Sequence, residues 1–270
     1  MFRTFLDILK DNWNWRSQLF ELANLEIVKM RRGSALGWVW ILLKPIIYLV
    51  VFWFAMDLGL KGGRNIGGDY PYILWLASGI LPWFFMQKML GTGSRLYSSF
   101  SHLVNKIKFP LPVISSFYAL SELYIHLVLL VLLGVFSLIV GVRYSIYLLQ
   151  LPLVIILMYV FWVLFSMMTS PLSATSKDLR ELIRVISTPL FWLSGIIYEV
   201  STTGIVWFEQ LMRFNPLHFF VNAYRASTCK NFWIFTDPTW MIPFAIVFLL
   251  TFICALRVQQ TVAKDVADTL

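Results

Sequence analysis

Charge is scarce in this sequence. Asp, Glu, Lys and Arg make up 13% of its 270 residues, against roughly 25% in a soluble domain. A water-soluble fold of this length still turns a large surface to solvent, and so few charges do not cover it. Cysteine is scarcer still. Cys229 and Cys254 are the only two, too few for a disulfide framework or a cysteine metal site. No Gly-x-x-x-x-Gly-Lys-Ser/Thr occurs; "GLKGGRNIGG" has glycines without a phosphate-cradling lysine in place, so no nucleotide is held by a P-loop. His-Glu-x-x-His, Gly-x-Ser-x-Gly and Cys-x-x-Cys are missing too, which removes the zinc-protease, serine-hydrolase and dithiol classes. His102, His126 and His218 are scattered, and each reads as a packing or interfacial histidine. The start, "MFRTFLDILKDNWNWRSQ", lacks the long apolar core and small-residue cleavage site of a signal peptide.

What is abundant is apolar surface, at 59% of residues. A bilayer absorbs that excess, and a crossing needs about 20 mostly apolar residues. Six such runs are present, at 36–57, 71–90, 111–140, 148–171, 183–199 and 239–257. Backbone inside a bilayer must bond to itself, so each run is expected to be a helix. Six crossings put both termini on one side. Fifteen of the 22 Lys and Arg fall on the side shared with the termini, six fall opposite, and Lys44 lies within the first run. The cation-rich side is the cytoplasmic one. The net charge of +8 therefore belongs to inner loops, and nucleic acid is not an expected partner.

The expected architecture is an all-α integral membrane protein forming one transmembrane domain over 1–270. Residues 1–35 form a cytosolic interfacial helix before the six spans. In "LFELANLEIVKMRR" the side chains of Leu19, Phe20, Ala23, Ile27 and Met30 share one helical face, and Glu21, Asn24, Arg31 and Arg32 the other. Such a helix lies along the membrane surface or packs on another cytosolic element. Segment 200–238 is too polar to cross yet dense in aromatics. It reads as short helices re-entering the outer leaflet, broken at Asn215-Pro216, or as a flat aromatic belt.

Two irregularities carry chemistry. Lys44 and Pro45 interrupt "GWVWILLKPIIY". Lys44 either snorkels to inner headgroups or faces a polar cavity and an anionic substrate. Pro45 is tolerated as a kink. Glu122 and His126 lie four residues apart on one helical face. They form a functional pair inside the span, or Glu122 bonds a neighbouring helix near the cytoplasmic end.

Several stretches in their order resemble a known family. "RRGSALGWVWILLKPIIY" is followed by "KIKFPLPVI", "SKDLRELIRVISTPLFWLSGIIYEV" and "RFNPLHFFVNAYRAS". Together these resemble the membrane (permease) subunits of polysaccharide-type ABC-2 exporters, which serve O-antigen, capsular polysaccharide and wall teichoic acid. The ending "NAYRASTCKNFWIFTDPTW…VAKDVADTL" is most similar to the teichoic acid branch. Where the family commonly has Arg-Asp, this chain has Lys177-Asp178, which loses bidentate bonding by arginine.

The resemblance implies a homodimer in a bacterial plasma membrane, joined to two copies of an ATP-binding cassette ATPase. ATP and Mg would be bound by that partner, with no cofactor and no catalysis on this chain. It also implies a cargo: a lipid-linked anionic glycopolymer on polyprenyl pyrophosphate. On that reading Trp40, Lys44, Tyr48, Trp83, Phe191, Trp192 and Tyr198 line the substrate pathway, since rings cover sugar C–H faces without demanding one hydroxyl pattern. Arg31 and Arg32 take the pyrophosphate at the inner mouth. Phe219, Phe220 and Tyr224 form the outer gate. Glu21, Glu26, Ser94, Arg95 and Asp178 meet the ATPase. The rivals are a proton-coupled secondary transporter using Glu122 and His126, a glycan-modifying membrane enzyme, and an assembly protein. The first lacks an evident inverted repeat, and the second lacks a convergent acid–base or metal constellation.

Overall fold

The computed structural model describes residues 1–31, 36–37, 39–59, 70–107, 109–142 and 144–269. Among the described residues, helix is the only regular structure. Helices α1 (Phe2–Asn14) and α2 (Arg16–Arg31) precede α3 (Val39–Trp53), which continues as π-helix over Phe54–Gly59. Helix α4 (Tyr72–Gly91) passes through a 3₁₀ turn at Gly93–Arg95 into the short α5 (Leu96–Ser99) and α6 (Ser101–Ile107). The long α7 (Leu111–Ile139) and α8 (Leu151–Thr175) follow, then α9 (Lys177–Leu193). Two short helices, α10 (Val206–Arg213) and α11 (Pro216–Thr228), lead to α12 (Pro238–Thr269).

Five helical stretches are long and apolar enough to cross a membrane: Val39–Gly59, Tyr72–Val104, Leu111–Ile139, Ile146–Thr175 and Pro238–Ala263. They match five of the six expected runs. The run at 183–199 is divided instead. Its first part lies in the 17-residue α9, whose first eight positions carry Lys177, Asp178, Arg180, Glu181 and Arg184. The Ser176 hydroxyl caps that helix by accepting the Leu179 N–H at 3.3 Å. The helix ends at Leu193, and the chain turns at Gly195, whose φ of +69° suits glycine.

Burial is uneven. Most of α4 is buried, whereas no residue of α3 is. Every residue of α11 from Leu217 to Thr228 is buried. Helices α8 and α12 pack along each other, with Phe161 5.9 Å from Phe244. Gln259 of α12 ties them further, donating to the Met167 carbonyl at 2.7 Å and the Tyr97 hydroxyl at 2.8 Å.

The N-terminal helices pack on the same chain. Helix α2 lies on α7, and α1 on α7 and α12. Leu19 and Ala23 are buried there, while Phe20 and Met30 of the same expected face are exposed. The clean amphipathic stripe belongs to α1: Phe2, Leu6, Leu9 and Trp13 fall at helical spacing and are all exposed.

Candidate functional site

A cavity of about 380 Å³ lies between α3, α4 and α7. Helix α3 supplies Trp40, Lys44 and Tyr48, α4 supplies Phe84 and Lys88, and α7 supplies Glu122 and His126. Lys44 is exposed, with its Nζ 5.9 Å from the Trp40 ring centre. Lys88 is exposed in the last turn of α4. Glu122 is buried, and its Oε1 has no hydrogen-bond partner among the described residues. The arrangement places cations at the rim and an acid within. His126 Nε2 sits 2.5 Å from the Tyr224 hydroxyl, tying the cavity's back wall to α11.

A line of rings leaves this cavity. Tyr48 meets Phe84 at 6.0 Å and Phe52 at 6.2 Å. Phe52 meets Phe191 of α9 at 5.2 Å and Trp192 at 6.3 Å. Phe191 also meets Trp83 at 5.4 Å. Such edge-on and tilted pairs at 4.5–7 Å are favourable ring geometries. Four expected pathway residues therefore meet in one line, and Tyr48 and Trp192 keep about half their surface exposed, at 58% and 48%. Trp83 is buried beneath them. Tyr198 is apart from the line; its hydroxyl donates to the Leu193 carbonyl at 3.2 Å.

Within segment 200–238, α11 folds inward, while Ile205, Val206, Trp207 and Leu211 before it are exposed. Asn215 caps α11 by accepting the Leu217 N–H at 2.9 Å, with Pro216 at the first helical position. Phe219, Phe220 and Tyr224 are buried within the subunit. Phe219 stacks on Phe244 at 3.8 Å. These rings present no outer surface in this conformation.

Beside them, Arg225 is buried, its guanidinium 3.5 Å from the Trp75 ring centre. It donates to the carbonyls of Gly195 at 2.7 Å and Ile196 at 2.5 Å. Burial lowers it to about 10, so it stays charged at neutral pH. The same turn accepts the Tyr72 hydroxyl at the Ile197 carbonyl, 3.1 Å away. Arg225 thus locks α11, the turn after α9 and α4 together. The sequence marked it only as one of six outer cations. Its one local signal is the pair Ala223 and Ala226, small neighbours that allow close helix packing.

The remaining expected residues are spread out. Glu21 and Arg95 are exposed, and Glu26 pairs with Lys29. Ser94 is buried and bonds the Gly91 carbonyl at 2.9 Å, so it offers no docking surface. Asp178 is exposed in the first turn of α9. Arg31 closes α2, while its side chain and all of Arg32 lie outside the described residues. Lys88, Phe52 and Phe84 were missed as site residues, because their neighbours there come from other helices.

A family model described as ABC-2 type transporter matches residues 17–228. The O-antigen export system permease protein RfbA of Myxococcus xanthus is 23% identical over 220 residues, covering 81% of this chain and 83% of the relative. The protein of the same name from Klebsiella pneumoniae is 21% identical over 209 residues, covering 77% and 78%. With the family match spanning most of its length and five apolar helices of crossing length, this chain belongs to the ABC-2 type transporter family of membrane proteins.

Proposed function

We propose that this chain is the membrane subunit of an ATP-driven exporter that moves a polyprenyl-pyrophosphate-linked polysaccharide across a bacterial plasma membrane. The observation that carries the reading is the ring line from Tyr48 through Phe52 to Phe191 and Trp192. Ring faces along such a line follow a sugar chain without trapping it, since they bind C–H surfaces and demand no single hydroxyl pattern. The route is enclosed by two copies of the chain. A separate ATP-binding cassette subunit, also in two copies, holds ATP and Mg, and this chain catalyses nothing itself.

Both termini face the cytoplasm, with the apolar second half of α9 and the turn after it together making the fifth of six crossings. Lys44, Arg31 and Arg32 draw the pyrophosphate to the inner mouth. The partner pushes on α2 near Glu21 and Glu26, on Arg95 and on the start of α9 at Asp178. Phe219, Phe220 and Tyr224 gate by moving with α10 and α11 as one packed unit.

The relatives' names favour a polymer of O-antigen type, and capsular polysaccharide is an alternative from the resemblance. Wall teichoic acid is the second reading, supported by the resemblance of "NAYRASTCKNFWIFTDPTW" to that branch. Reconstitution with the ATPase subunit in liposomes tests the proposal. Transport of lipid-linked glycan is expected to need ATP. Phe191→Ala should slow it roughly threefold to tenfold while ATP hydrolysis continues. Transport that ignores ATP and follows a proton gradient overturns the reading in favour of a secondary transporter.

A further inference from the structure

We propose that the cavity between α3, α4 and α7 seats the first hydroxyl-bearing unit attached to the anionic headgroup, with Glu122 as the residue that separates a glycosylated pyrophosphate lipid from a bare one. The inference rests on the export reading and assigns a recognition step to a cavity which that reading leaves undifferentiated.

Three observations carry it. First, the charges are ordered by depth. Lys44 and Lys88 are exposed, while Glu122 on α7 is 4% exposed. A phosphate is attracted to the rim and repelled from the interior. Second, Glu122 Oε1 is buried without a donor among the described residues. An unpaired buried acceptor is costly, and a hydroxyl from an occupant satisfies it. Third, the space of about 380 Å³ falls in the roughly 300–1,000 Å³ range of small-molecule sites. Its rim carries Trp40 and Tyr48, rings suited to a sugar face. An anion at the rim joined to a neutral, hydroxyl-rich unit inside is the chemistry of a glycosyl phosphate. A bare pyrophosphate satisfies the lysines but leaves Glu122 Oε1 without a donor and facing a second anion.

The test uses the full chain in lipid nanodiscs and two probes, a short polyprenyl pyrophosphoryl hexose and the same lipid without the hexose. The unaltered chain is expected to bind the glycosylated lipid at least roughly ten-fold tighter, as one charge-assisted hydrogen bond allows. Glu122→Gln, which keeps shape but removes charge, should shrink that preference to about two-fold, weakening the glycolipid and strengthening the bare lipid. Lys88→Gln should weaken both lipids alike and leave the preference unchanged. Equal binding of both lipids by the unaltered chain, or a preference that survives Glu122→Gln, overturns the inference and leaves the export reading standing. Binding of neither lipid overturns both. If Glu122→Gln fails to fold, competition on the unaltered chain decides. A hexose 1-phosphate should displace bound glycolipid roughly ten-fold better than inorganic phosphate, and equal displacement sinks the proposal.

Discussion

Arg225 shows how one residue holds three elements. Its fork satisfies two backbone carbonyls at the turn after α9 and rests on Trp75. Its close fit explains Gly79, where a Cβ would stand 2.7 Å from the guanidinium and 2.7 Å from the Ile196 carbonyl. Arg225→Met should strand those carbonyls and cost about 2–5 kcal/mol, read as a lowered Tm in detergent. Arg225→Lys should recover little, because an ammonium cannot reproduce the planar fork. His218 offers a second residue-scale test. Burial holds it down at about 4; the Ser194 carbonyl and Glu199 oppose that shift, and Arg225 and Lys230 reinforce it. A depressed histidine favours the neutral form in the fold. Its contribution is therefore complete above the unfolded value near 6.5 and is lost as pH falls from there toward 4. Tm measured against pH should drop through that window, and His218→Asn should shallow the drop. The chemistry of Arg225 was not legible in the sequence, since its partners are backbone atoms of a distant turn and carry no residue-type signature.

At the scale of elements, the apolar runs were legible because length and hydropathy alone decide a crossing helix. Helix α11 was not. Its polar residues look wet in sequence but bond inward: Asn222 donates to the His218 carbonyl at 2.9 Å, Ser227 to Ala223 at 2.7 Å and Thr228 to Tyr224 at 2.9 Å. Groups satisfied by their own helix can be buried without water. Helix α9 misled in the other direction, because the apolar stretch between Arg184 and Glu199 hides the turn that Gly195 makes. Of the two placements the sequence allowed for the stretch 19–32, along the membrane or against another element, α2 takes the second by packing on α7. The exposed stripe of Phe2, Leu6, Leu9 and Trp13 lies on α1, and such a face rests in the headgroup boundary. A spin label at position 9 should be relaxed by lipid-soluble oxygen more than by an aqueous nickel complex, and one at Asp7 should show the reverse. Equal aqueous relaxation at both positions places α1 off the membrane.

For the whole molecule, the candidate site was half legible. Trp40, Lys44 and Tyr48 sit on one helix and announce themselves together. Lys88 and Glu122 reach them only through the packing of α4 and α7, which no local pattern encodes. The enclosure they form has unequal walls: α4 is mostly buried, and α3 has no buried residue. Tyr48→Cys joined to Phe84→Cys by a thiol crosslinker, in a chain whose own cysteines are replaced, should halt transport until the link is cut. Unchanged transport in the linked protein means the two helices work at fixed spacing. Displacing α3 separates only half-exposed surfaces, whereas displacing α4 would tear the interior. If α3 shifts while α4 stays, the chamber would work as a leaf on a fixed post, and the leaf rather than a rigid mould would set its width. A doorway of that kind admits cargoes of unlike bulk through one frame.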